Sequence, residues 1–401
     1  MNINHPAPFF AINFLCFVLA WLIFRNSGFY RELLHKTEAG HSNMVDGLRG
    51  WLALGVFFTH ATVMHSYFVA GKWEVPEGGF YDMTGQVAVS LFFMITGFLF
   101  WSRVLRSDGV LNTETFYVSR LRRIVPMYLV SVVMSLVVVA ALSGFSLRVN
   151  PFELARELKT WFSFGFLYAG DINGIKDAHH INAVYWTLAF EWGFYVALPL
   201  LAILARGAGA FLLFPIAFLY CLQTPVTLNF IAGALAAVLV ERKFIVDQVK
   251  PWVFAPLPIA ALAAVFTFPS AYAVSPVVLM FVFFLFVVGG NSLIGLLASR
   301  PARLLGTISY SIYLIHCIVL YVVVRTFHQH LSIVSLNPYE YWSLAAIAAM
   351  IAVLLSAITY KYVEHPFISL KRSAREPALP SFTVGLRPEV PLKEMQGRFP
   401  G

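Results

Sequence analysis

The feature that most constrains this sequence is a series of apolar blocks, each about 17 to 22 residues long, that recurs along most of the 401-residue chain. A helix of that length crosses the hydrocarbon core of a bilayer, because each residue adds about 1.5 Å to a core about 30 Å thick. The chain is 59% hydrophobic and 12% charged, whereas soluble domains are roughly 25% charged. The sequence therefore predicts an all-α, polytopic membrane helix bundle and excludes a soluble globular protein.

The boundaries of the apolar blocks predict eleven transmembrane spans. They lie near 8–24, 48–69, 85–102, 124–144, 186–205, 211–222, 226–240, 252–268, 274–292, 304–326 and 342–362. The blocks at 211–222 and 226–240 are short, so one bent helix is an alternative to two spans. The aromatic block at 161–170 is too short to span, and we expect an interfacial or re-entrant segment there.

Basic residues are distributed unequally between alternate loops. One set of loops carries fourteen Lys and Arg residues and the other carries five, which predicts that the first set is cytoplasmic. The N-terminus would then lie outside and the C-terminus in the cytoplasm. We attribute the net charge of +8 to these loops, so the bilayer is the expected partner and nucleic acid is not. The three cysteines lie in apolar blocks, so neither a disulfide framework nor a metal site is predicted.

Ionisable residues inside a span are costly and by default functional, and the main cases in the predicted spans are His60, Glu191 and His316. Arg49 precedes His60 by eleven residues, a rise of about 16 Å that returns to the same helix face. His316 follows Tyr310 on its span, and a carboxyl such as Glu191 is expected to be paired or protonated. Structural alternatives remain: Arg49 reaching the interface, and each histidine bonding a backbone carbonyl.

Arg120 and Arg123 are three residues apart in the segment 116–128 and therefore share one helix face. Guanidinium pairs at this spacing suit bidentate phosphate binding, but basic residues beside a span are also ordinary topology anchors. Walker, HExxH and GxSxG motifs do not occur in the sequence.

Six segments, in this order, resemble the integral-membrane acyltransferase-3 family over residues 44 to 368. They are MVDGLRGWLALGVFFTH, GQVAVSLFFMITGFLF, FYVSRLRRIVPMY, YWTLAFEWGFY, LLGTISYSIYLIH and YVEHPF. The resemblance implies a ten-helix acyltransferase core, here preceded by one extra span. We expect an N-terminal span and linker at 1–43, the membrane core at 44–370, and a disordered tail at 371–401.

The resemblance also implies an activity, which is O-acyl transfer, commonly of acetyl, from cytosolic acyl-CoA to a hydroxyl of a cell-envelope carbohydrate or glycolipid. Such an enzyme would lie in the inner (cytoplasmic) membrane. By analogy, His60 is the catalytic residue, and Glu191 is a second candidate. The predicted donor-binding residues are Arg49, Arg120 and Arg123, and the predicted substrate-binding residues are His316, Tyr310 and Trp186.

The sequence departs from the family pattern at three positions. Thr96 and Thr187 stand where the family usually has serine, so a hydroxyl is kept. Trp192 stands where a second acidic residue is usual, so Glu191 is the remaining carboxyl of that motif.

The mechanism we expect uses neutral His60 as general base on the acceptor hydroxyl. A covalent acyl-enzyme is less favoured, because the sequence places no obvious Ser or Cys nucleophile beside His60. Two alternatives remain from other classes. One is a secondary transporter of a sugar, lipid or anion with His60 or Glu191 as proton relay, and the other is a membrane scaffold whose polar groups join helices.

Overall fold

The computed structural model describes residues 3–36, 42–75, 79–107, 109–204, 224–244 and 254–370. In these ranges the regular secondary structure is helical, which confirms the predicted all-α membrane bundle. Seven helices there are long and apolar enough to cross a membrane. They are α1 (Ala7–Asn26), α3 (Ser42–Ala70), α4 (Phe80–Arg106), α5 (Thr113–Leu142), α7 (Trp186–Leu204), α12 (Ser309–His330) and α13 (Pro338–Thr359).

Shorter helices complete the described part. Three are apolar: α8 (Leu228–Glu241), α9 (Pro256–Val265) and α10 (Val274–Val288). The others are α2 (Gly28–His35), α6 (Pro151–Trp161), α11 (Arg300–Thr307) and α14 (His365–Ser369). Ten of the eleven predicted spans thus have a helical counterpart, and the span predicted at 211–222 lies outside the described residues.

Several predicted spans differ in extent from the helices, and two of the differences bear on the site. The span predicted at 124–144 is part of a helix that begins at Thr113, because the Asn112 side chain accepts a hydrogen bond from the Thr115 amide and caps the helix there. The basic segment 116–123 therefore belongs to the same helix as the apolar span. The span predicted at 304–326 is two helices, α11 and α12, with Ile308 between them.

Glycines allow the helices around the centre of the bundle to approach closely. A Cβ atom at Gly306 would lie 1.6 Å from the Asp46 carbonyl oxygen, where α11 packs on α3. A Cβ atom at Gly233 would lie 2.0 Å from the Met94 carbonyl oxygen, where α8 packs on α4. Small residues at crossings are the usual means by which membrane helices pack without a hydrophobic driving force.

The connection between α5 and α7 packs back onto the bundle. The Tyr128 hydroxyl donates to the Trp161 carbonyl at 2.7 Å and accepts from the Phe164 amide at 2.9 Å. A 3-10 turn, Ala178–Ile181, leads into α7. The predicted non-spanning segment at 161–170 is a short irregular stretch after α6.

The chain leaves α13 through a π-helical turn, Tyr360–Glu364, before α14. Single π turns inside membrane or soluble helices are frequent at functional sites, because they rotate a side chain out of α-helical register. Here the turn carries Glu364 to a buried position with 1% of its surface exposed. The predicted disordered tail at 371–401 lies outside the described residues.

Candidate active site

A cavity of about 520 Å³ lies between α3, α4, α5, α7 and α12. One face of α4 forms its long wall, with lining residues at every third or fourth position from Val89 to Arg106. These seventeen steps correspond to about 26 Å of helix rise. The cavity therefore extends along much of the length of α4.

Five arginines line one end of this cavity, which we call the basic end: Arg49, Arg103, Arg106, Arg120 and Arg123. The Arg120 guanidinium lies 4.9 Å from the centre of the Phe100 ring, and its Nε is buried without a hydrogen-bond partner among the described residues. Arg106 is paired with Glu241 at 2.7 Å. A buried, unpaired guanidinium donor beside further arginines suits an anionic ligand such as a phosphate group.

Two glutamates accompany these arginines. Glu191 lines the cavity and accepts a short hydrogen bond from the Tyr195 hydroxyl. Glu364 accepts from the Ser311 hydroxyl at 3.0 Å, and it interacts electrostatically with Arg123 and Arg49. Sequence reasoning missed Glu364, although the YVEHPF segment that contains it was a signal. Both carboxyl groups therefore lie close to the arginines of the basic end.

Hydroxyl and aromatic groups form the other end of the cavity, which we call the inner end. The Thr187 and Tyr313 hydroxyls lie 2.5 Å apart, and each is within hydrogen-bond distance of the Val184 carbonyl. Tyr310 also lines the cavity, but its hydroxyl donates to the Ile124 carbonyl at 3.0 Å. Of the predicted substrate-binding residues, Tyr310 thus belongs to the cavity wall.

Trp186, another predicted substrate-binding residue, is not among the described residues that line the cavity. Its side chain is 44% exposed and packs edge-on against Phe190. The structure therefore brings Trp186 to the outside of the bundle, one residue before the cavity-lining Thr187.

The predicted residues His60 and His316 face each other from α3 and α12. His316 Nε2 lies 3.2 Å from His60 Nδ1. Each Nδ1 is also 3.0 Å from the carbonyl oxygen four residues earlier, Val56 for His60 and Ile312 for His316. Because a carbonyl oxygen only accepts hydrogen bonds, both Nδ1 atoms carry the proton in the neutral rings.

This arrangement fixes the role of each ring nitrogen. His60 Nδ1–H is shared between the Val56 carbonyl and His316 Nε2, which accepts. His316 Nε2 uses its lone pair to accept this bond, so the lone pair that stays free for a substrate proton is on His60 Nε2. Sequence spacing indicated a buried imidazole but gave no sign that a second histidine orients it.

The histidine pair lies one side-chain layer beyond the inner end of the cavity. On α12 the described lining residues stop at Tyr313, whose ring centre is 6.1 Å from that of His316. His316 is fully buried, whereas His60 keeps partial exposure. The bundle thus brings the predicted base close to the end of a cavity whose opposite end is basic.

A cysteine that sequence analysis left without a role adjoins this pair. Cys317 Sγ lies 3.4 Å from His316 Nε2 and is fully buried. The Sγ, His316 and His60 ligand atoms all lie within 4.8 Å of one another. The sequence could not show this cluster, because His60 and Cys317 are on helices far apart in the chain.

At the other end of α3, opposite the basic end, a second group of rings surrounds His180. The His180 ring stacks on Trp73 at 4.2 Å and contacts Tyr67 at 4.5 Å. Burial and the neighbouring His179 lower the pKa of His180 to about 4. His180 is therefore neutral at physiological pH. Protonation of the buried ring costs free energy only in acid.

Comparison with known proteins agrees with this geometry. A family model described as "Acyltransferase domain", that of acyltransferase-3, matches residues 43–361. Nodulation protein 10 of Rhizobium leguminosarum bv. viciae is 28% identical over 176 residues, which is 42% of this chain and 46% of that protein. The chain thus aligns with less than half of that relative's length. No solved structure matches the chain.

The family match covers the helices that carry the cavity and the histidine pair, and it supports a transferase rather than the transporter alternative. It ends three residues before Glu364 and begins within α3. With a family model matched over most of its length and a membrane bundle as its fold, this chain belongs to the acyltransferase-3 family of membrane acyltransferases.

Proposed function

We propose that this membrane acyltransferase moves an acetyl group from acyl-CoA to a hydroxyl of a cell-envelope carbohydrate or glycolipid, with His60 as general base. The observation that carries the proposal is the cavity, which runs from an arginine cluster to within one side-chain layer of a histidine pair. The site is proposed to lie in the inner (cytoplasmic) membrane with its basic end toward the cytoplasm, where acyl-CoA is made.

The basic end supports a donor that carries several phosphates. Arg49, Arg120 and Arg123 are assigned to the coenzyme A phosphates, and among the described residues that line the cavity Arg120 Nε is a buried donor without a hydrogen-bond partner. Charge-assisted hydrogen bonds to phosphate are roughly twice as strong as neutral ones. The apolar wall formed by Phe92, Leu99 and their neighbours then lines the path of the thioester arm toward the inner end.

The histidine pair supports base catalysis of the transfer step. The acceptor hydroxyl gives its proton to His60 Nε2 as its oxygen attacks the acyl carbonyl carbon. The carbon–sulfur bond breaks, and the coenzyme A thiolate takes up the proton from the imidazolium, which leaves an ester and the free thiol. Proton transfer of this kind contributes roughly 10²- to 10⁴-fold to the rate.

His316 is assigned to positioning rather than to proton transfer. Its Nε2 accepts from His60 Nδ1–H, so it holds the ring that becomes positively charged in the transition state. This is the task that a carboxylate performs for the histidine of a hydrolase triad.

Glu191, the second candidate from the sequence, is proposed as a positioning residue. Its described hydrogen bond is to Tyr195 and it lies beside arginines, so its proposed task is to hold the donor-binding groups. Tyr310 is proposed to shape the wall along the thioester arm. Trp186 is proposed to contact an acceptor that approaches from the side of the bundle.

The test is reconstitution of the full chain in vesicles with acetyl-CoA, or a longer acyl-CoA, outside and extracted envelope glycans or lipids as acceptors. Release of free coenzyme A thiol reports transfer. We expect acetyl-CoA to be consumed only with an acceptor, and His60→Ala to lower the rate by at least 10²-fold.

The matched control is His65→Ala, because His65 lies on the same helix but its ring packs against Tyr341 at 4.6 Å. Loss of activity in both variants would indicate a general effect on α3. An active His60→Ala protein would contradict the assignment of the base, and preference for a longer acyl-CoA would replace acetyl as the donor group.

A further inference from the structure

The side chains of His60, His316 and Cys317 form a compact cluster of metal-ligating atoms inside the bundle. We infer that this cluster binds one Cu(I) ion, and that the bound ion switches off the general base. Copper binding rests only on the cluster, whereas the inhibitory effect rests on the proposed function.

The spacing of the three atoms fits one small ion. Bonds of about 2.0 Å to nitrogen and 2.3 Å to sulfur place neighbouring ligands about 3.3 to 3.7 Å apart around a tetrahedral or trigonal ion. The two separations that involve His316 Nε2 are 3.2 Å to His60 Nδ1 and 3.4 Å to Cys317 Sγ. All three atoms lie within 4.8 Å of one another, so small side-chain rotations suffice to bring them around one centre.

Charge and ligand type favour Cu(I) over divalent ions. A thiolate and two neutral imidazoles carry one negative charge, which a monovalent ion neutralises, whereas Zn²⁺ would leave an uncompensated charge in a buried site. In the described part of the chain, the contacts of these side chains are with each other, with the backbone and with aromatic rings, and no carboxylate joins them. Soft thiolate ligands select Cu(I), and imidazole also suits copper.

Groups around the cluster already orient two of the ligands. The Ile312 carbonyl holds the Nδ1–H of His316, which leaves Nε2 as its lone-pair nitrogen. The Ala183 backbone lies within hydrogen-bond reach of the Cys317 sulfur and helps to fix the position of that side chain. In known metal sites, hydrogen bonds to the ligand residues from neighbouring groups fix the orientation and basicity of those ligands.

Binding changes the protonation of the base. Cu(I) replaces the proton of the Cys317 thiol, and that proton is released to solvent. It also takes the place of the His60 Nδ1 proton, which moves to Nε2. His60 Nε2 then has no lone pair to accept the proton of the acceptor hydroxyl, so acyl transfer stops without any change in the donor site.

The binding test uses the purified full chain in detergent under anaerobic, reducing conditions. It is titrated with Cu(I) against a chromophoric Cu(I) chelator, and bound copper is counted by elemental analysis. We expect one copper per chain, release of one proton per copper, and at least a 100-fold weaker affinity in Cys317→Ser. Cys16→Ser and Cys221→Ser are the matched cysteine controls and keep wild-type affinity.

Cys317→Ala is measured in parallel, with size-exclusion profiles to verify folding, so that an effect of serine itself is separated from loss of the ligand. Failure of the wild type to bind one copper, or equal affinity in wild type and both Cys317 variants, would overturn the inference.

The activity test compares each protein with itself. Copper at one equivalent lowers acyl transfer by wild type at least 10-fold, and it leaves the rate of Cys317→Ser within twofold of that variant's own copper-free rate. Copper binding without measurable acyl transfer would reject the proposed function and retain the metal site. Acyl transfer without copper binding would reject the metal site and retain the proposed function.

Discussion

Replacement of His316 by alanine tests the tautomer argument at the centre of the site. The change removes the acceptor 3.2 Å from His60 Nδ1 but leaves the Val56 carbonyl 3.0 Å from the same atom. His60 therefore keeps its proton on Nδ1 and its lone pair on Nε2, and it loses only the partner that steadies the ring as it becomes charged.

The magnitude follows from the strength of a hydrogen bond to a charged group, about 1.5 to 3 kcal/mol. This corresponds to a fall in kcat of roughly 10- to 150-fold. The KM for the acyl donor is expected to stay within about twofold, because His316 is not among the described residues that line the proposed donor cavity.

The assay is the steady-state release of coenzyme A thiol from vesicles that contain wild type or variants. His316→Gln, whose amide oxygen can accept from Nδ1–H, is expected to recover part of kcat. His330→Ala, at the exposed end of the same helix, is the matched control. The reasoning is refuted if His316→Ala is as inactive as His60→Ala, or if kcat does not change.

Two further results are expected. Arg120→Gln raises the KM for acyl-CoA about 10-fold or more with kcat little changed, since it removes a charged donor. Arg122 is not among the described residues that line the cavity, so Arg122→Gln leaves the KM unchanged. Equal effects of the two variants in steady-state kinetics would reject the assignment of Arg120. The pKa of His180 is about 4 in the folded chain and about 6.5 in the unfolded chain. As the pH falls, the unfolded chain therefore becomes protonated at a higher pH than the folded chain, and the free energy of unfolding decreases between pH 6.5 and pH 4. His180→Phe, which keeps the stack on Trp73, should flatten the pH dependence of Tm over that window, and an unchanged slope would contradict the argument.

The sequence was sufficient for the class of fold and for most spans, because membrane helices must be apolar over a length set by the bilayer. The predicted span at 124–144 did not give the start of α5, because the cap at Asn112 begins the helix ahead of the basic segment. Hydropathy marks where a helix enters lipid, whereas a cap marks where the helix begins, and the two differ by eleven residues in this case.

Site residues could be predicted only where a charged or titratable side chain also has a spacing that places it on a defined helix face. Arg49, Arg120 and Arg123 could be placed on helix faces, and the structure brings all three to one cavity. The contact between His60 and His316 and the position of Cys317 depend on how α3 packs against α12. No local pattern encodes that packing, so the orienting role of His316 could not be inferred from spacing.

The burial of Glu364 is another feature that the local sequence did not predict. Its position near the end of the last span gave no indication of burial, but the π turn at Tyr360–Glu364 rotates it inward to Ser311 and into range of Arg123. The π turn thus accompanies a carboxyl group that is buried beside Ser311 and not exposed at the end of the last span.

The most direct test of the central claim is mass spectrometry of envelope glycans and lipids from cells that express wild type, His60→Ala, His65→Ala or no protein. We predict an added acyl group on a carbohydrate or glycolipid hydroxyl with wild type and His65→Ala, and its absence with His60→Ala and without the protein. The same acyl group at wild-type levels in cells with His60→Ala would contradict general-base catalysis by His60.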